Sequence, residues 1–507
     1  MLNKINLKIN KTQFSLHLAF LFFLLGALLT LAFSPFDLFY LPLFLMMAVF
    51  YCCLKCPPHL TAKYLFIFGL GHYLTGTYWI YISVHIFGNA PLWIAITLMI
   101  CLVLLMSSYF AITGWLISWF SYKNKFPIIF SGPSIWVLIE WLKGWLFSGF
   151  PWLSLGYSQI DTGLSGWAPL LGVYGVSWWL LFGVAGCLYY LIKRKLTTGL
   201  LFIITPFIFG YGLSGYNWTE EYGKPIETVI IQGGVSQDLK WKAEQFPKTL
   251  DLYLQATIGA PQGSFIVWPE VAIPASSDQI RSYLQLIETH LKESKKKLAL
   301  GILEKNTHTK THHNSVLFID GVGQQHYRKR HLVPFGEYFP IPGFMREWLR
   351  LLSLPNTDLV SGEQIQPLIN FNNNVSLAVA ICYEIAFGAQ QLYAFPEAGL
   401  LINVSNDAWF GDSIAPHQHL QLSRMRSLEV GREMVRVTND GISAFIDSKG
   451  KVVKQSDQFV FYKLATFAQP RKGATPYVLF GNWPILILNS LLLIVFFKRK
   501  ILRNEKL

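Results

Sequence analysis

The sequence predicts a membrane α-helical bundle of about eight transmembrane helices joined to an α/β domain. Three observations lead there. Of its 507 residues, 52% are hydrophobic and only 14% are charged, against about 25% charged in an ordinary soluble domain. The apolar residues are unevenly spread: the chain is almost continuously apolar to about Trp218, polar from Thr219 to about Thr475, and apolar again near its end. The polar stretch alternates short apolar runs with segments of helical periodicity. The expected division is 1–217, a transmembrane region of about seven helices; 218–478, the α/β domain; and 479–507, a last helix and tail.

A helix that crosses a bilayer needs about 20 apolar residues. Such runs fall near 14–33, 36–54, 64–87, 91–120, 128–147, 167–192, 198–217 and 479–497. The first lacks a small-residue cleavage site and others follow it directly, so it is expected to remain as a span rather than be cleaved. Lys and Arg cluster in "NKINLKINK", after the second run (Lys55 and "KYL"), in "YKNK", in "KRK" and in "KRKILRNEK", whereas the intervening loops have almost none. That alternation predicts both termini in the cytoplasm. Seven spans then place the large domain on the far side, the periplasm of a bacterium, and the eighth returns the chain. The formal net charge of +13 fits this topology better than nucleic-acid binding, because no compact basic element with interleaved aromatics is present.

Within the polar domain, "IETVIIQG", "SFIVWPE" and "KLALGILE" suit buried strands. "SDQIRSYLQLIETHLKES" suits a helix opening at a Ser/Asp cap, and "HNSVLFIDGVGQQHYRKRHLVPFGEY" suits a hairpin around Gly321-Val322-Gly323. "SLAVAICYE" and "AGLLINVSND" follow as strands, then a helix from about Pro416 to Arg432, "EMVRVTND", and a hairpin "ISAFIDSKGKVV". Three chemically capable residues stand at strand ends, where α/β folds carry their chemistry: Glu270, Lys329 and Cys382. Each has a plain structural reading as well: a cap, a hairpin cation beside Arg328 and Arg330, and a buried core thiol. Cys382 is the one cysteine of six in the polar domain, so no disulfide forms within that domain. Cys52, Cys53 and Cys56 have the spacing of half a metal site, but no second pair completes it.

The motifs "QGGVSQDLKW", "VWPEVAIP", "KRHLVPFGEYFP", "AICYE", "NVSNDAWFGDS" and "PHQHLQLSRMRSLEVGR" resemble the nitrilase superfamily, whose domain is an αββα sandwich. With "EWLKGWLFSGFPWLSLGYSQID" and "LLGVYGVSW" in the apolar half, the chain is similar to the apolipoprotein N-acyltransferase family of bacterial inner membranes. The resemblance implies Glu270 as general base, Lys329 as oxyanion stabiliser and Cys382 as nucleophile. It marks Trp241, Glu337, Tyr383 and Glu384 as supporting residues. It also implies a phospholipid acyl donor and the N-terminal diacylglyceryl cysteine of an apolipoprotein as acceptor, with neither cofactor nor metal; a monomer is expected.

A covalent intermediate divides ester-to-amide transfer into two easier steps, and a thioester stays reactive toward an amine. The base is expected to need burial to raise its pKa toward neutrality. Phe344 and Trp348, at helical spacing in "FGEYFPIPGFMREWLRLLSLP", are candidates for an interfacial gate admitting lipid; packing on the core is their structural reading. Glu140 and Lys143 lie in an apolar run, where ionisable groups are costly, and are expected to pair with each other or meet a lipid head group. His417 and His419 open a helix and are candidates to line the site. "THTKTHHN" reads as an exposed strand end rather than a metal site. Two other functions compete: a membrane-tethered nitrilase-type amidase or hydrolase using water as acceptor, and a transporter. The transporter reading lacks an internal repeat and leaves the triad without a purpose.

Overall fold

The computed structural model describes residues 14–122, 125–306, 311–338 and 359–504. Phe344 and Trp348 lie outside them, as does part of "THTKTHHN". The chain forms two compact units. One holds residues up to Tyr78, Thr97–Gly215 and the residues from Asn482; the other holds Trp79–Ile96 and Tyr216–Gly481.

The first unit is helical: Leu16–Leu29, Leu41–Lys55, Pro58–Gly76, most of Leu92–Ser121, Ile128–Lys143, Ala168–Ile192, Leu196–Ser214 and Trp483–Asn504. Each expected span overlaps a helix, the run 64–87 only in part. Three helical stretches, Leu92–Ser121, Gly163–Ile192 and Leu196–Ser214, are long and apolar enough by themselves to cross a membrane. The helices Leu16–Leu29 and Pro58–Gly76 touch backbone to backbone. A Cβ on Gly26 would strike the Phe68 carbonyl, and one on Gly71 the Phe23 carbonyl, the small-residue contact that membrane helices favour.

Two expectations need correction here. The run 64–87 is not one helix. The helix starts earlier and closes at Gly76, with Thr77 Oγ1 donating to the Tyr73 carbonyl (2.6 Å). Residues Trp79–Phe87 form a separate short helical piece belonging to the second unit. There Ser83 Oγ donates to the Trp409 carbonyl (2.8 Å), and Trp79 meets Phe410 edge-on at 4.8 Å between centroids. Glu140 and Lys143 are also bound otherwise than expected. Glu140 Oε1 accepts from Trp136 Nε1 (3.0 Å) and from the Leu155 N–H (2.9 Å). Lys143 Nζ donates to Tyr73 OH (3.0 Å) and the Trp152 carbonyl (2.9 Å). Both are buried, and both brace the segment 152–155, whose backbone offers the polar partners that hydrocarbon cannot.

The second unit carries the strands β1 Glu220–Glu221, β2 Ile226–Gln232, β3 Phe265–Val267, β4 Lys297–Lys305, β5 His312–Ile319, β6 Gln324–Arg328, β7 Ile369–Asn372, β8 Val375–Ile381, β9 Ala398–Ser405, β10 Met434–Thr438, β11 Ala444–Ile446, β12 Val452–Gln455, β13 Tyr462–Ala468 and β14 Arg471–Lys472. Two six-stranded sheets result, ordered β13-β2-β3-β4-β5-β6 and β12-β11-β10-β9-β8-β7. Alternation along each strand sorts its side chains. Phe265, Val267 and Ile230 face Val379, Ile381, Ile402 and Val435 in the shared core. Ile266, Val229 and Ile231 turn outward to the helices Phe246–Ile258 and Arg281–Ser294. Ala378, Ala380 and Leu401 turn outward on the other side, toward the helix Ala415–Val430. The layers are αββα. Because both faces of the central strands are covered, they read as continuous apolar runs rather than alternating ones. The helix expected to open at the Ser277/Asp278 cap begins at Arg281, with Ile280 before it and no side-chain cap; Ser276 Oγ is instead engaged with Gln279 (3.0 Å).

One carboxylate of the first sheet predicts acid behaviour. Burial pushes Glu304 up, but His326 and Arg328 together bring it down to about 2. A depressed native pKa contributes stability above the unfolded value of about 4.3, and that contribution is lost as pH falls through the native value. The melting temperature of the purified protein should therefore fall between about pH 4 and pH 2, with a shallower fall in Glu304→Gln.

Candidate active site

Three strand ends deliver the three residues singled out from the sequence. β3 stops before Trp268-Pro269, since Pro cannot donate to the ladder, and Glu270 follows. Lys329 follows the last residue of β6, and Cys382 the last residue of β8. The first two come from one sheet and the third from the other.

Lys329 is 1% exposed at its side chain and lies between two carboxylates. Its Nζ donates to Glu337 Oε1 at 2.9 Å and to Glu270 Oε1 at 3.3 Å. Asn314 of β5 ties the same two oxygens together, its Nδ2 donating to Glu270 Oε1 (2.7 Å) and Glu337 Oε1 (3.0 Å). The Asn314 carbonyl also accepts from the Lys329 N–H (2.8 Å). Glu337 is fixed in turn by the Val333 N–H on Oε2 (2.8 Å). Burial works against the Lys329 charge, but Glu270, Glu337 and Cys382 hold its pKa above the ordinary lysine value, so the ammonium persists. Burial, then Glu270, push the Cys382 thiol up, while Lys329 and Ser405 pull it down; the thiol is the resting form.

The supporting residues divide. Glu384 links the two sheets. Oε1 accepts from the N–H groups of Arg330 (2.7 Å) and His331 (3.3 Å), Oε2 from the N–H of Ile381 (2.7 Å), and Tyr327 OH donates to both (3.0 Å). The turn that carries Lys329 is thereby fastened to the residue before Cys382. Tyr383 packs edge-on against Phe387 (5.0 Å) and His331 (5.8 Å) in a small aromatic wall. Trp241 stands apart: it follows the short helix Gln237–Lys240 and is 56% exposed. No hydrogen bond or ring contact joins it to the cluster among the described residues. From the same helix Lys240 Nζ reaches the Glu270 carbonyl (3.5 Å). Its ammonium is drawn down to about 8 by burial, against the pull of Glu270 and Asp440. Among the described residues no cluster of His, Cys, Asp or Glu could hold a metal ion.

The sequence reading did not single out Asn314, Asp407 or Arg436. Arg436 left a signal, a cation in the middle of the apolar strand "MVRVT", since an unpaired charge does not stay buried. It is fully buried and binds Asp407 Oδ2 (2.7 Å).

Gly301 on β4 backs the Glu270 turn. A Cβ there would lie 2.5 Å from Glu270 Cα and 2.8 Å from the Val271 nitrogen, both backbone atoms that cannot swing aside. Gly301→Ala is therefore expected to displace Glu270 and slow turnover about tenfold or more, measurable as a fall in kcat beyond any change in expression.

Two facing sheets sheathed in helices, with polar groups gathered where strands of both end, form the carbon–nitrogen hydrolase type of domain. Residues 230–461 match the Carbon-nitrogen hydrolase family, and residues 25–186 match the Apolipoprotein N-acyltransferase N-terminal domain. The chain is 36% identical over 476 residues to the apolipoprotein N-acyltransferase of Nitrosomonas europaea, covering 93% of this chain and 95% of that one. It is 37% identical over 468 residues to that of Methylococcus capsulatus, covering 91% and 92%. The chain belongs to the apolipoprotein N-acyltransferase family.

Proposed function

We propose that the chain moves a fatty acyl group from a membrane phospholipid, through a thioester on Cys382, to the α-amine of the N-terminal S-diacylglyceryl cysteine of an apolipoprotein. The observation that carries this reading is the buried Lys329 ammonium held between Glu270 and Glu337 beside the Cys382 thiol, in a chain of this family. Glu270 takes the thiol proton as sulfur attacks the ester carbonyl. The Lys329 ammonium stabilises the resulting oxyanion, a contribution of about 3–4 kcal/mol for a donor of this kind. The tetrahedral species collapses, the C–O bond breaks, and Glu270 returns the proton to the leaving alcohol, releasing lysophospholipid. The acceptor amine then attacks the thioester, gives its proton to Glu270, and the C–S bond breaks with the thiol restored. Glu337 and Asn314 hold the base and the cation in register. Glu384 and Tyr383 hold the Cys382 turn, and exposed Trp241 supplies a face for substrate. Eight spans, cytoplasmic termini, a periplasmic catalytic domain and a monomer in the inner membrane complete the proposal. A reporter fused near Lys224 and active only in the cytoplasm would overturn the topology.

The purified protein in phospholipid vesicles should acquire an acyl mass on Cys382, and a diacylglyceryl-cysteinyl peptide should discharge it as an N-acyl product. Release of free fatty acid with no peptide product would favour the hydrolase instead.

A further inference from the structure

Cys382 has a left-handed backbone, φ +50°. A residue with a side chain is strained there, and the conformation persists only where neighbours impose it. One neighbour is His419, from the helix Ala415–Val430, whose Nε2 lies 3.2 Å from the Cys382 carbonyl. Its Nδ1 lies 2.9 Å from Asp407 Oδ1. Asp407 is itself anchored: Ser405 Oγ donates to Oδ1 (2.7 Å) and Arg436 Nη2 to Oδ2 (2.7 Å). Arg436 also donates to Ser423 Oγ (3.1 Å), and Ser423 Oγ to the His419 carbonyl (2.9 Å). The side chains of His419, Asp407 and Arg436 are at most 1% exposed. Parallel pairing of β8 with β9, Ile381 beside Val404, brings this group alongside the thiol-bearing turn.

We propose that His419 is a positioning residue: anchored by Asp407, its Nε2–H holds the Cys382 carbonyl and so maintains the left-handed turn that aims the thiol at the ester. The inference rests on Cys382 being the nucleophile. A carboxylate and a carbonyl are both acceptors, so the ring makes both bonds only as imidazolium. The charged groups facing it are Asp407, which favours that form, and Arg436 of β10, which with burial opposes it. Burial and Arg436 prevail in lowering the ring's pKa, so its hold on the turn weakens as pH rises. A glutamine amide offers N–H donors at every pH.

The test compares wild type, His419→Ala and His419→Gln in full-length protein in phosphatidylethanolamine-containing vesicles, following thioester formation on Cys382. At acidic pH, where the ring is imidazolium, His419→Ala should lower the acylation rate constant about 10- to 100-fold, with the KM for phospholipid within twofold of wild type. His419→Gln should recover most of that loss, and its rate relative to wild type should rise with pH. Wild-type rates in His419→Ala would overturn the inference, as would equal losses in the two variants or a change confined to KM. Should His419→Ala fail to fold, a pH-independent ratio of His419→Gln to wild type overturns it equally. Absence of a thioester in wild type itself would instead remove the nucleophile assignment and this inference with it.

Discussion

Cys382→Ala is expected to lose thioester formation and N-acylation entirely, at least a thousandfold below wild type, while remaining folded. No other thiol stands in the α/β domain for Glu270 and Lys329 to serve. Stability should change by less than about 1 kcal/mol. The residue is only half-buried, and trimming its CH2SH side chain to a methyl group at an unchanged backbone leaves little cavity. Mass spectrometry of the protein after incubation with phospholipid, together with its melting temperature, checks both parts. Full turnover in the variant would end the covalent mechanism.

Lys329→Met should be the most damaging change to fold and function together. It removes the cation that touches both Glu270 and Glu337 and leaves two carboxylates sharing Asn314 with no cation in ion-pair contact among the described residues. Breaking a buried pair by removing one partner costs about 3–5 kcal/mol, and the lost oxyanion donor about 10²- to 10³-fold in rate. Denaturant unfolding of the purified variant measures the first and single-turnover acylation the second. The double variant Lys329→Met/Glu337→Gln should recover part of the stability and none of the rate. Recovery of rate would mean that Lys329 acts only as a counter-ion.

Much of this was legible in the residues. Short apolar runs ahead of Glu270 and Cys382 marked two strand ends, because buried strands of a sandwich must be apolar on both faces and their termini are where polar groups can emerge; Lys329 follows the polar strand Gln324–Arg328, and only the hairpin pattern placed it. The structure brings Glu270 and Lys329 into contact, and their charges bear on the Cys382 thiol. Glu337 was marked by the family motif and by no strand end; its grip on Lys329 depends on the turn through Val333. Asn314, one polar residue in "HHNSV", gave no sign of facing the site, since strand register decides which face it takes. Asp407, His419 and Arg436 lie on three different elements and meet only in three dimensions. The break at Gly76–Thr77 was hidden for another reason: apolar composition continues across it, and hydropathy does not register where the backbone hydrogen bonds stop.

The division of the site between the two sheets has a consequence for how the enzyme tolerates change. Glu270 and Lys329 ride on one layer and Cys382 on the other, with Glu384 as a polar tie between them. The distance from base to thiol is therefore governed by the thickness of the hydrocarbon filling, the Phe265, Val267, Val379 and Ile381 side chains that keep the layers apart. Interiors packed like molecular crystals resist compression, which makes that filling a spacer as well as an adhesive. A substitution there that barely alters melting can still shift the gap across which the proton has to pass.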